Sequence, residues 1–162
     1  MDDDPPGIRA LAGSGLEARL VRIPPPGSAE ESAALQGIDL HRLLRSIVIR
    51  RGAGDYLFVL VPGGRQIDWP RLRAHLGVSR LSLPDQAEAK EATGYERGAI
   101  TPLGSANPWP VVADASIRGA GTVAIGAGRR GANVHVDADE LIAHLGAGVA
   151  DVTRPAEPVS GG

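Results

Sequence analysis

The sequence predicts an α/β fold: one domain with a mixed, largely antiparallel sheet and helices packed on it. Three observations lead there. Short β-branched runs alternate with capped helical segments, but not in the strict order of a doubly wound nucleotide fold. Two pairs of runs flank glycine-rich turns, at 51–55 and 126–131, as hairpins require. Of the 162 residues, 43% are hydrophobic and only 3% aromatic, enough for one core built mainly of Val, Leu, Ile and Ala.

The elements follow in order. Residues 1–7 are acidic and proline-rich, and 154–162 are rich in Pro, Gly and Ser. Both read as disordered tails around a domain at 8–153. Residues 16–23 (LEARLVRI) alternate like a strand with one exposed face, and Pro24, Pro25, Pro26 and Gly27 end it. Ser28 is placed to cap a helix reaching about Leu35, with Glu30 and Glu31 in its first turn and Gly37 as its stop. Residues 46–49 (SIVI) and 56–61 (YLFVLV) form a hairpin, the second run apolar throughout like a strand buried on both faces. Asp68 caps the next helix, with Pro70 in its first turn and Gly77 past its end. Another short helix starts after Pro84. Residues 94–104 (GYERGAITPLG) hold three glycines and a proline and read as a loop. Val111 and Val112 form a short strand, 122–125 and 133–136 a second hairpin, Asp137 caps a helix to about His144, and 149–152 close the sheet.

Composition excludes several classes of function. With no cysteine, neither a disulfide framework nor a thiolate metal site is possible. No apolar run is long enough to span a bilayer, and Asp2, Asp3 and Asp4 stand where a signal peptide would be basic, so a cytoplasmic protein without a membrane partner is expected. The net charge is −2; setting aside Asp2, Asp3, Asp4 and Glu157 leaves fifteen acids against seventeen bases. Any RNA contact must therefore come from a local patch, and no DNA partner is expected. Lys90 is the only lysine.

Familiar catalytic patterns are missing. His41, His75, His135 and His144 form no i, i+4 pair and no HExxH pattern, so no metal and no cofactor is expected. The run Gly126-Ala127-Gly128 lacks the lysine of a phosphate loop and reads as a tight turn. There is no GxSxG elbow around Ser14, Ser46, Ser79 or Ser105. Arg42, Arg45, Arg50 and Arg51 cluster at one strand, and Arg129 with Arg130 makes a second pair; such forks suit phosphate, or simply form a solvated rim.

Four pieces together carry a resemblance: 43–50 (LLRSIVIR), 69–77 (WPRLRAHLG), 94–104 (GYERGAITPLG) and 123–131 (VAIGAGRRG). In order and spacing the chain resembles the YbaK/EbsC-type trans-editing deacylases, free-standing relatives of the editing domain inserted in bacterial prolyl-tRNA synthetase. The likeness covers about 16–152, and the long loop is its most specific part. It implies a mixed α/β editing fold that needs no metal, with aminoacyl-tRNA as substrate and an aminoacyl-tRNA synthetase as a further partner. The expected reaction is hydrolysis of a small amino acid from the 3′-terminal adenosine of a mischarged tRNA, of the tRNA-Pro type.

The resemblance also implies roles. A GxxxP loop, here Gly98 to Pro102 with Ile100 and Thr101 inside it, cradles the ester. Gly126 matches a short residue that closes the amino-acid pocket, with Gly128 beside it; Asp114 matches a polar residue after a short strand, and Ile23 a pocket-lining side chain. Arg45 and Ser46 stand where the family has a lysine followed by Thr, Ser or Asn. Arginine keeps the charge but cannot act as a base. Two expectations follow: Arg45 anchors substrate in an active deacylase, or the chain is a relative that binds tRNA or an aminoacyl nucleotide without turnover. An ester needs no strong nucleophile when water is held in line and backbone N–H groups meet the oxyanion, which fits the lack of a triad.

Overall fold

A computed structural model describes residues 4–156. Five helices, α1 (Pro6–Ala10), α2 (Ala29–Gln36), α3 (Trp69–Leu76), α4 (Gln86–Thr93) and α5 (Ala138–Leu145), accompany nine strands among these residues. The strands are β1 (Arg19–Arg22), β2 (Leu44–Gly52), β3 (Asp55–Pro62), β4 (Arg65–Ile67), β5 (Val111–Asp114), β6 (Thr122–Gly126), β7 (Ala132–Asp137), β8 (Gly148–Ala150) and β9 (Thr153–Pro155). They form sheets in the orders β1-β7-β6, β2-β3-β5-β8 and β4-β9. Only β3-β5 and β5-β8 run parallel. A parallel bridge between Leu43 and Ala124 joins the two larger sheets, and this junction positions the site.

Local chemistry explains the boundaries. Ser28, Asp68, Asp85 and Asp137 each accept a hydrogen bond from the backbone N–H three residues on, capping α2, α3, α4 and α5. Gly37, Gly77, Gly94 and Gly146 close the same helices in the left-handed region. β3 is buried from Tyr56 to Pro62, because side chains on both its faces meet apolar layers. Phe58 and Leu60 point into the core between the sheets, with Val123, Ile125, Val134, Val136 and Leu141. Leu57, Val59 and Val61 point the other way, onto Leu72 of α3, Ile67 and Val152. Ala33 of α2 packs with Leu43 and Ala124 on the outer face of the β1-β7-β6 sheet.

Both tail boundaries move. Pro6 opens a helical turn, and the Gly7 amide donates to Ala127 O at 2.7 Å, so part of the expected N-terminal tail packs on the β6-β7 turn. At the other end Arg154 and Pro155 pair with Gln66 and Arg65, and the Ala156 amide donates to Gly64 O. The remaining tail positions, 1–3 and 157–162, lie outside the described residues. The closing strand expected at 149–152 is instead two strands with a bend between them. Val152 causes the bend: its amide donates to Asp114 Oδ1 at 3.1 Å and its carbonyl accepts from the Asp68 amide at 2.8 Å.

Candidate functional site

A cleft of about 900 Å³ opens where the free edge of β2 meets four other segments. Its wall includes Ser28 and Ser32 of the α2 cap and helix, Leu83, Pro84, Asp85, Gln86 and Ala89 around the start of α4, Arg97, Gly98 and Ile100 of the long loop, and Gly126 and Asn133 of the β6-β7 hairpin. Leu43 and, from β2, Leu44, Arg45, Ser46, Ile47 and Val48 also line it, and because consecutive side chains of a strand alternate between its faces the cleft reaches both.

Five of the residues singled out from the sequence line this one cleft: Arg45, Ser46, Gly98, Ile100 and Gly126. Alternation along β2 separates the first two. Ser46 lies between Leu44 and Val48 on the inter-sheet face, and its buried hydroxyl finds no partner among the described residues. Arg45 lies on the opposite face at the rim and donates to the Arg65 carbonyl oxygen. It also borders a smaller hollow of about 300 Å³ with Gln66, Trp69 and Arg154.

The loop is held from behind. Tyr95 donates its buried hydroxyl to Leu103 O at 2.6 Å, and burial pushes its pKa above the usual phenol value, so the donor keeps its proton. Thr101 accepts from the Leu103 amide at 3.2 Å, and Arg130 donates through Nε and a terminal nitrogen to Arg97 O at 3.3 and 3.2 Å. The result is a fixed turn with Gly98 at φ +86°, a conformation side chains rarely adopt. The amides of Gly98 and Ile100 make no hydrogen bond among the described residues. Opposite them, a methyl group built on Gly126 would lie 3.7 Å from Ile100 O, so the gap there is about one methyl wide.

The other expected site residues sit elsewhere. Asp114 is 1% exposed and does not line the cleft. Burial pushes its pKa up, but hydrogen bonds from the Ser116 hydroxyl, the Val152 and Ser116 amides and Thr153 outweigh this and hold it below the usual carboxylate value. It is a tie between β5 and residues 152–153, with Arg65 at 4.0 Å. Gly128 packs on the Tyr95 ring, 2.8 Å from where its Cβ would stand, so its role is a close approach rather than a pocket wall. Thr101 is fully buried, and Pro102 is not in the lining. Ile23 is tied by its amide to Gly131 O at 2.8 Å, beyond the end of β1, and is not in the lining.

The expected arginine cluster is dispersed. Arg50 pairs with Glu88 at 3.0 Å, Arg51 with Asp55 at 3.1 Å, and Arg42 donates to Thr122 O. Of that group, only Arg45 reaches the cleft. Lys90 pairs with Glu96 at 2.8 Å and does not line it. No group of three or more His, Asp or Glu converges to hold a metal among the described residues. Sequence reading missed Ser32, Arg97 and Asn133 as lining residues. Ser32 and Gln36, polar at i and i+4 in a small helix, were the available signal that one face of α2 is not merely packed.

The aminoacyl-tRNA editing domain family model matches residues 24–143. Among curated proteins, the chain is 31% identical over 130 residues to the proline–tRNA ligase of Xanthomonas axonopodis pv. citri, covering 80% of this chain and 22% of that protein. It is 32% identical over 102 residues to the proline–tRNA ligase of Thermosipho melanesiensis, covering 63% and 18%. The chain thus spans about a fifth of the length of these relatives. A solved structure described as a candidate trans-editing enzyme for prolyl tRNA synthetase superposes with a TM-score of 0.85 at 26% identity, covering 94% of this chain and 99% of that one.

Proposed function

Because the chain belongs to the aminoacyl-tRNA editing domain family, we propose that it acts in trans to hydrolyse the ester linking a small, mistakenly attached amino acid to tRNA, with a tRNA of the proline type as the substrate. The observation that carries this reading is the single cleft lined by Arg45, Ser46, Gly98, Ile100 and Gly126, brought together from β2, the long loop and the hairpin.

In this reading a water oxygen adds to the ester carbonyl carbon. The developing oxyanion is met by the amides of Gly98 and Ile100, which make no hydrogen bond among the described residues and come close because Gly98 has no side chain. The bond from the carbonyl carbon to the tRNA oxygen then breaks. That oxygen takes a proton originating from the water, directly or by way of a neighbouring tRNA hydroxyl, leaving a free amino acid and an intact tRNA 3′ end. No side chain on the cleft wall needs to become a nucleophile; the enzyme contributes orientation and pre-placed donors. Arg45 contributes a charge at the rim that suits a phosphate or carbonyl oxygen. Gly126 sets the width of the amino-acid pocket. A synthetase is a further partner in this proposal, as the source of the mischarged tRNA.

The second reading is a relative that binds an aminoacylated end without turnover. It draws on Arg45 itself, whose guanidinium is already bonded to the Arg65 carbonyl at the rim. The test is a deacylation screen over tRNAs charged with Ala, Cys, Ser and Pro, run with wild type and Arg45→Lys. Turnover by the wild type on at least one charged tRNA is expected. An inert wild type beside an active Arg45→Lys would favour the binding relative, and two inert proteins would overturn the deacylase reading.

A further inference from the structure

A chain of hydrogen bonds leads out of the cleft beneath α2, along the outer face of the β1-β7-β6 sheet, and its direction is set at every step. Arg19 and His135 are cross-strand partners on β1 and β7. A guanidinium has only donors to offer, so the Arg19 terminal nitrogen 3.4 Å from His135 Nδ1 makes Nδ1 the accepting atom. Burial first, then the Arg19 charge, push the His135 pKa below its usual value, in keeping with a neutral ring. The proton of that ring is then on Nε2, which lies 2.9 Å from Gln36 Oε1 and donates to it. The Gln36 amide nitrogen is left to donate to Ser32 Oγ, at 2.9 Å.

Ser32 therefore accepts a hydrogen bond from behind and keeps its own proton unspent. Thr93 sends its hydroxyl proton to the carbonyl four residues earlier in its helix, at 2.8 Å; Ser32 makes no such bond among the described residues. Ser32 and His135 are 7% and 5% exposed, so bulk water has little access to either. The cleft is where Ser32 opens.

Resting on the reading of this cleft as an aminoacyl-ester site, we propose that Ser32 is a substrate-binding residue. Its hydroxyl donates to an acceptor oxygen of the aminoacyl-ribose end. Gln36 and His135 are positioning residues that point the Ser32 proton into the cleft, and Arg19 selects the His135 tautomer that makes this possible. The relay explains why a small helix buries a serine and a glutamine one turn apart.

The experiment has two arms. In the first, the imidazole nitrogens of His135 are read by 15N NMR in the unliganded wild type. Protonation on Nε2 is expected; protonation on Nδ1 overturns the proposal without reference to any substrate. In the second, Ser32→Ala, Ser32→Thr and Gln36→Glu are compared with wild type, as deacylation kcat and KM on one charged tRNA and as Kd for a non-hydrolysable 3′-aminoacylamido-adenosine. Ser32→Ala is expected to raise KM and Kd about tenfold, the worth of one hydrogen bond, with a smaller change in kcat. Ser32→Thr keeps the hydroxyl and should stay within about twofold of wild type. In Gln36→Glu the carboxylate accepts from both neighbours and turns the Ser32 proton away from the cleft, so this variant should match Ser32→Ala with its hydroxyl still present. Wild-type values in both Ser32→Ala and Gln36→Glu, or a defect in Ser32→Ala alone, overturn the relay. A wild type that neither binds the analogue nor hydrolyses any charged tRNA overturns the ester-site reading instead.

Discussion

Three positions on the cleft wall lend themselves to substitution one atom at a time. Gly98 is held at φ +86°, so Gly98→Ala strains the loop backbone, and its methyl group, 3.2 Å from Arg130 Nε, pushes on the side chain that holds the loop to Arg97 O. The amide stays but is displaced by the strain, and the full loss of one oxyanion donor costs on the order of 10²–10³ in rate. A loss near that size is expected, measured as single-turnover deacylation with circular dichroism to establish that the fold persists. Ser46→Ala removes a buried hydroxyl that has no partner among the described residues, so it should leave stability unchanged or raised and cost the rate far less. The reverse ranking would mean a covalent serine mechanism. At Gly126 the backbone is ordinary and a methyl fits, 3.7 Å from Ile100 O. Gly126→Ala should therefore fold normally and narrow the pocket, lowering activity on larger aminoacyl groups more than on alanyl. Equal losses on all of them would show that this position does not set pocket width.

At the scale of elements, the long loop depends on Tyr95. Its ring packs against Gly128, its hydroxyl closes onto Leu103 O, and a side chain at Gly104 would stand 2.9 Å from that hydroxyl. Tyr95→Phe keeps the ring and leaves a buried carbonyl without its donor, which costs about 1–3 kcal/mol. Chemical denaturation should register that loss. Deacylation should fall by a smaller factor than in Gly98→Ala, because the loop loosens without losing its shape. A rate loss equal to that of Gly98→Ala would mean that the hydroxyl acts on the substrate rather than on the loop. The arginines teach a related point about elements. Arg50 and Arg51 follow one another on β2, yet an acid from α4 claims one and an acid beside the turn claims the other.

For the molecule as a whole, Asp114 links the four-stranded sheet to the segment before β9 through Val152 and Thr153, and accepts from Ser116 beside it. Its folded-state pKa is depressed, so its stabilising effect is full above the unfolded carboxylate pKa of about 3.9 and is lost as pH falls through the lower folded value. Asp114→Asn should be less stable than wild type in urea at pH 7, and the gap between the two should shrink as pH drops below about 4. A gap that stayed constant down to pH 2 would argue that Asp114 contributes shape and not charge. Charge bears on the proposed tRNA binding as well. With a net charge of −2, and with Arg50 and Arg51 of the β2 group already paired to acids, phosphate contacts must come from a local patch of arginines rather than from the overall charge. Each single-strand phosphate contact adds a log–log salt slope of roughly −0.7. A slope of a few such contacts is expected by titration of tRNA at increasing salt; a flat response would point to a small-molecule ester as the substrate.

By itself the sequence determined what is local. Ser28, Asp68 and Asp137 cap helices because their side chains reach a backbone N–H three residues away, and Gly37 and Gly77 stop them because they tolerate positive φ. The unbroken apolar run 56–61 marked the central strand for a comparable reason: both faces need apolar side chains. The long loop was legible from its glycines and from its resemblance to a family motif. Tertiary structure decided which of these pieces share a cleft. Arg45 and Ser46 are neighbours in sequence but point to opposite faces of β2, because side chains alternate along a strand. Asp114, with its polar side chain at the end of a short strand, resembled a pocket residue. The bend at Val152 instead draws an amide onto its carboxylate and closes it off. β4 and β9 are three residues each, too short for any periodicity to reveal, and exist because they pair with one another across the molecule. Ser32, Gln36, His135 and Arg19 are separated by up to 116 residues, and the direction of their hydrogen bonds arises only once β1, β7 and α2 are stacked.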